Sequence, residues 1–234
     1  MKISRRALIK LVALTASAKL GAVSNDPERF NSGYSEIDRG VQGILDFLTN
    51  LFRLDGDWTP DFRFFDDQGQ PNAYASDPIL GFRRPEIMIG RGTVSESIRV
   101  SSGEFGGALT GVFAHEFAHV FQLKGGIRNR LLIDDCMGSR RLVETHADFL
   151  AGWALPQAWW ITKLDDLKVA AAQFYALGDM QFEAQGHHGT SLQRQSIMAA
   201  GYTWGLTSPH DPDKASEYGE AVLRDLFPQW FMTK

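Results

Sequence analysis

The chain has 234 residues, of which 44% are hydrophobic and 22% charged, and its formal net charge is −4. That is the composition of a globular domain with a real core, and it excludes collagen-like, low-complexity and disordered proteins. The single cysteine, Cys136, excludes an internal disulfide framework and a Cys-rich metal site, and no apolar run approaches the roughly 18 residues of a membrane-spanning helix.

The charge is unevenly placed. Residues 1–24 hold five bases (Lys2, Arg5, Arg6, Lys10, Lys19) and no acid, so the remainder carries a formal charge of −9. An acidic body argues against nucleic acid as a partner. Residues 1–22 read as an export signal: a basic start, a short apolar run from Leu11 to Ala18, and small residues at Ala16-Ser17-Ala18. Ser4-Arg5-Arg6-Ala7-Leu8-Ile9-Lys10 resembles the twin-arginine address. The expectation is export to the periplasm or beyond, with cleavage after Ala18 or Ala22. The alternative is a basic amphipathic helix of a cytosolic protein.

Residues 23–34 read as a linker and 35–234 as one domain. Ile37, Val41, Ile44, Leu45, Leu48, Leu51 and Phe52 fall at helical spacing and predict a helix from Ser35 to Arg53, ended by Asp55-Gly56-Asp57. Phe62–Phe65, Glu86–Gly90 and Ser97–Val100 read as strands, and Gly69–Pro78 as loop. A helix then starts near Ser101 or Ser102, carries Leu109, Val112, Phe113, Phe117, Val120 and Phe121, and stops at Gly125-Gly126. A polar loop follows to Ser139. Further helices are predicted over Arg140–Leu155, Gln157–Leu177, from Thr190 or Ser191 onward, and over Ala215–Phe227. Few strands early and many helices later predict an α+β fold.

The chemistry centres on His115-Glu116-Phe117-Ala118-His119, an H-E-x-x-H on the apolar helix. Residues four apart share a helical face, so both imidazoles reach one ion at about 2.0–2.1 Å. Glu116 then stands beside that ion as a general base rather than a ligand. Apolar flanks on both sides predict that these polar groups are buried and need partners. The extended pattern with a third histidine fails, because Gln122 and Gly125 stand where it needs Gly and His. Glu144 and Asp148 share a face of the next helix instead. Glu144 can be the third ligand, and Asp148 can accept the second N–H of a ligating histidine. His146, two positions from Glu144, points elsewhere and reads as a satisfied helix histidine. Two histidines and one carboxylate leave a zinc coordination position open, which is the arrangement of a catalytic site.

At these residues the chain resembles the gluzincin metallopeptidases, most closely the bacterial neutral zinc metallopeptidases and distantly the HtpX-like peptidases without their membrane helices. The matching stretches are His115–Gln122, Glu144–Trp153, Ala176–Asp179 and His188–Arg194, and their order covers roughly residues 70–205. The resemblance implies a zincin-like single domain with one Zn²⁺ per chain, held by His115, His119 and Glu144 with Glu116 as general base. It implies a peptide or protein substrate. It also implies that Pro71-Asn72-Ala73-Tyr74-Ala75 leads into an edge strand above the metal helix, where Asn72 and Ala73 contact substrate by strand addition. His188 or Arg194 could stabilise the oxyanion; the plainer alternatives are helix capping by Thr190 and a structural ion pair for Arg194. The chain departs from the family pattern at Phe149, which follows Asp148 in place of an acidic-cysteine pairing, and at Gly103, Gly106, Gly107 and Gly111, which make the start of the metal helix glycine-rich.

Cys136, the tryptophans, and Asp211 and Asp213 read as incidental, packing and loop residues respectively. Three readings compete with a zinc peptidase. One is an amidase acting on cell-wall or other small peptides. Another is a degenerate zincin kept for binding, which the intact Glu116 argues against. The last is a chance H-E-x-x-H that binds no metal.

Overall fold

The computed structural model describes residues 29–69, 71–78, 84–101, 106–161, 190–208 and 210–232. Among them, α1 (Ser35–Leu51) turns Ile37, Val41, Ile44, Leu45, Leu48 and Leu51 inward, as the spacing predicts. Its first turn carries Glu36 and Asp38, which complement the positive end of the helix dipole. Beyond Phe52 the chain reverses at Arg53, whose φ of 52° lies in the left-handed region.

Three strands follow: β1 (Asp61–Phe65), β2 (Ala73–Ser76) and β3 (Glu86–Gly90). The sheet order is β1-β3-β2, with β1 parallel and β2 antiparallel to β3. The central strand β3 is buried at Ile87, Met88, Ile89 and Gly90, whereas β1 alternates and buries Phe62 and Phe64. β2 lies inside the segment expected to be loop. Four residues with little strand character of their own become a strand by pairing Ala73 with Ile89 and Tyr74 with Met88.

The expected strand Ser97–Val100 is instead the end of α2 (Arg91–Val100). Asp67, distant in sequence, accepts hydrogen bonds from the Gly92 and Thr93 amides at 2.8 and 3.2 Å and so caps this helix. Thr93, Val94 and Ser97 form its buried face. Gly90 has no room for a side chain, since a Cβ there would stand 2.0 Å from the Asp67 carboxylate. Ser101 does not cap the next helix: its hydroxyl donates back to the Ser97 carbonyl at 2.6 Å.

The second half is helical. The helix α3 (Gly107–Lys124), which carries His115 and His119, is buried along nearly its whole length. A helix α4 (Ile127–Asp134) occupies much of the expected polar loop; left-handed Gly126 redirects the chain, and Ile127 and Leu131, four apart, reach the core. Then come α5 (Arg141–Ala154), α6 (Ser191–Gly205) and α7 (Pro212–Leu226). Thr190 and Gln193 form a capping box on α6. Asp211 caps α7, which starts three residues before its expected position. The helix expected from Gln157 lies mostly outside the described residues, and the turn Leu155–Gln157 takes the place of its start. α5 packs between α3 and α6, and the α5/α6 approach brings backbone against backbone. A Cβ on Gly152 would stand 2.1 Å from the Met198 carbonyl oxygen, and one on Gly201 2.0 Å from that of Phe149. The fold is α+β, and among the described residues no helix is long and apolar enough to cross a membrane.

Candidate metal centre

The site is built from one turn of α3 facing one turn of α5, with the end of the sheet above. His115 and His119 project from the same face of α3, and Glu144 meets them from the first turn of α5. Their ligating atoms form a nearly equilateral triangle. The two Nε2 atoms are 3.1 Å apart, and Glu144 Oε2 lies 3.3 Å from His115 Nε2 and 3.4 Å from His119 Nε2. Ligands at about 2.0–2.1 Å in a tetrahedron are separated by about 3.3 Å, so three corners of a zinc tetrahedron are laid out here. The donor set, two imidazoles and one carboxylate, also suits zinc.

Behind His115 stands a buried charged pair. Its Nδ1 is 2.9 Å from Asp148 Oδ1. Arg194 on α6 grips the same carboxylate with two N–H donors, Nε to Oδ2 and Nη2 to Oδ1, both at 2.8 Å. Burial alone would raise the Asp148 pKa, but the Arg194 guanidinium and His115 outweigh it and hold the carboxyl below its usual range. Burial also opposes charge on His115, yet Asp148 and Glu144 prevail and lift the imidazole to about 9. Glu144 is itself held well below the carboxylate range by the two imidazoles, against the effect of burial. A metal ion held by these atoms would require both imidazoles to be neutral donors.

Glu116 is 4% exposed, and its Oε2 has no hydrogen-bond partner among the described residues. Burial pushes its pKa up, partly offset by the imidazoles. A buried carboxylate with an unmet acceptor is costly in an inert core and suits a proton-transfer group facing a ligand.

The triangle lies on the floor of a cleft of about 350 Å³, whose lining includes Glu116, Arg194, Asn72, Ala73, Tyr74 and Val112. The backbone carbonyl of Asn72 accepts from the Gly90 amide and the Thr93 hydroxyl, each at 2.8 Å, so it holds β2 in place. With β3 paired on one side, β2 turns its other edge to the cleft. His188 lies outside the described residues. Arg194 touches the cleft, but its guanidinium is engaged by Asp148, the plainer of its two expected roles. Cys136 is exposed and donates to the Gln229 carbonyl, away from the cleft lining.

The sequence reading passed over three side chains at the site. Gln122 Oε1 accepts from His119 Nδ1 at 2.9 Å, and its i, i+3 spacing on α3 was a usable signal. Arg140, one turn before Glu144, lines the cleft, as does Arg128 of the unforeseen α4, which pairs with Asp77. His146 is buried and hydrogen-bonded, as expected. No family model, curated protein or solved structure matches this chain.

Proposed function

We propose that the protein is a zinc-dependent peptidase of zincin-like architecture, with His115, His119 and Glu144 as metal ligands and Glu116 as general base. The triangle of His115, His119 and Glu144 atoms, beside a buried Glu116 whose Oε2 has no hydrogen-bond partner among the described residues, carries this reading. A zinc ion held there supplies Lewis acidity, lowering the pKa of a water towards about 7 and polarising a carbonyl oxygen. Glu116 takes the proton of the attacking water and delivers it to the leaving nitrogen as the amide bond breaks. Its raised pKa suits both halves of that transfer. Asp148 keeps the proton of His115 on Nδ1, which leaves Nε2 as the donor to metal. The unpaired edge of β2, at Ala73 to Ser76, accepts an extended substrate backbone as an added strand. The basic leader supports export as part of the same proposal.

The test measures metal and cleavage separately. Elemental analysis should give about one zinc per chain in the wild type and markedly less in Glu144→Ala. Peptide-library cleavage should fall by roughly 10²–10⁴-fold in Glu116→Gln while its zinc content is unchanged. A wild type that takes up no stoichiometric zinc overturns the metal reading. Zinc without cleavage of any peptide would point to the binding-module alternative, and cleavage confined to cell-wall peptides to the amidase.

A further inference from the structure

We infer that Gln122 and His146 form a buried relay, anchored on Ser216 of α7, that sets His119 in the one tautomer able to bind metal through Nε2. The inference rests on the metal-centre reading and assigns positioning roles to two residues outside the ligand set.

The relay follows from the direction of each hydrogen bond. Gln122 and His146 are both fully buried, so water does not compete for their polar atoms. The Val143 backbone carbonyl can only accept, and Gln122 Nε2 lies 2.8 Å from it. That contact identifies the nitrogen end of the amide, so the end facing His119 Nδ1 at 2.9 Å is the oxygen Oε1. An amide oxygen only accepts, so His119 Nδ1 carries the proton. In the neutral ring Nε2 is then a lone pair, aimed at the same point as His115 Nε2 and Glu144 Oε2.

The second hydrogen of Gln122 Nε2 is directed at His146 Nδ1, 3.0 Å away. His146 Nδ1 therefore accepts, and its proton sits on Nε2. There it meets the Ser216 carbonyl and hydroxyl oxygens, each at 3.2 Å. Each proton in the relay has one consistent position, and no formal charge is needed. An amide free to rotate by half a turn would present its nitrogen to His119 and favour the opposite tautomer. The Val143 carbonyl and His146 together prevent that flip.

The experiment compares full-length Gln122→Met, His146→Leu and His146→Gln with the wild type. Glutamine at 146 can offer its oxygen to Gln122 and its nitrogen to Ser216, so it restores the direction of the relay. Zinc affinity, read by chelator competition, should fall roughly 10- to 100-fold in Gln122→Met, fall by a smaller factor in His146→Leu, and recover in His146→Gln. Nitrogen-detected histidine spectra of the metal-free wild type should show His119 protonated on Nδ1 and His146 on Nε2. A folded Gln122→Met that binds zinc as the wild type does overturns the relay. So does equal weakening in both His146 variants, which would make His146 a space-filler. If Gln122→Met does not fold, the His146 pair and the spectra decide. A wild type that binds no zinc would defeat the metal reading, and the tautomer spectra would still decide the relay.

Discussion

The two imidazoles of the centre sit one turn apart on α3, and they are backed by opposite chemistry. His115 leans on a charged pair: Asp148 at 2.9 Å, itself held by two N–H groups of Arg194. His119 leans on a neutral amide, Gln122, and through it on His146. The charged side lifts the pKa of His115 to about 9, whereas His146 behind His119 is pulled down to about 4. Both sides leave Nε2 facing the same point. Charge makes the stronger donor of His115, and it costs the burial of two ions. The neutral side incurs no such cost and relies on geometry, since an amide must be kept from rotating. The comparison teaches that ligand orientation can be fixed by a carboxylate or by a chain of directional hydrogen bonds, with different sensitivities to mutation.

Those sensitivities can be ranked. The largest effect belongs to Asp148→Ala, which leaves the buried Arg194 guanidinium without its counter-charge and should destabilise the fold by about 3–5 kcal/mol in urea denaturation. Replacing both members, Asp148→Leu with Arg194→Met, should recover most of that stability without recovering zinc affinity. If the double variant is as unstable as the single one, the charge account of this side is wrong. Next comes Gly201→Ala. Its new Cβ would press on the Phe149 carbonyl where α5 and α6 meet, one residue along α5 from Asp148. Overpacking there should cost about 1–3 kcal/mol or more, and it should weaken zinc binding through the Asp148–Arg194 side. A melt at the wild-type temperature would show that the helices separate more easily than their contact implies. The smallest effect is expected from Ser216→Ala at the end of the neutral side. The Ser216 backbone carbonyl still accepts from His146, so loss of the hydroxyl should change stability by less than about 1 kcal/mol and leave zinc affinity as it was. A large loss would mean that the hydroxyl, not the carbonyl, orients His146.

Legibility in the sequence followed the range of the forces involved. α1, α5 and the start of α6 matched their expected spans to within a residue or two, because the apolar spacing of α1 and α5 and the Thr190–Gln193 capping box of α6 are local. β3 matched its span for the same reason: a short apolar run bounded by turn residues. The start of α7 was written in the chain as a capping Asp211 followed by Pro212 at the first helical position, although the pattern was read as a loop. The failures were of another kind. β2 has weak strand character and exists because β3 offers it hydrogen bonds. α2 looked like a strand at its end, but Asp67, more than twenty residues away, caps its start and selects the helix. α4 reads as polar until Ile127 and Leu131 are seen entering the core. At the site, the motif placed His115, Glu116 and His119, and helical spacing paired Glu144 with Asp148. Gln122 was in plain view beside His119, and only its orientation was hidden.

The sequence by itself determined which residues share a helical face, since 3.6-residue periodicity needs no tertiary partner. That was enough to bring two imidazoles together and to put the Glu144 and Asp148 carboxylates on one face. Only the tertiary structure decided that α5 closes on α3 with Glu144 Oε2 3.3–3.4 Å from both imidazoles, that Arg194 grips Asp148 rather than facing the cleft alone, and that the edge of β2 overlooks the triangle. Those choices depend on hydrogen bonds and packing between residues tens of positions apart, whose partners are not marked in the local pattern of either segment.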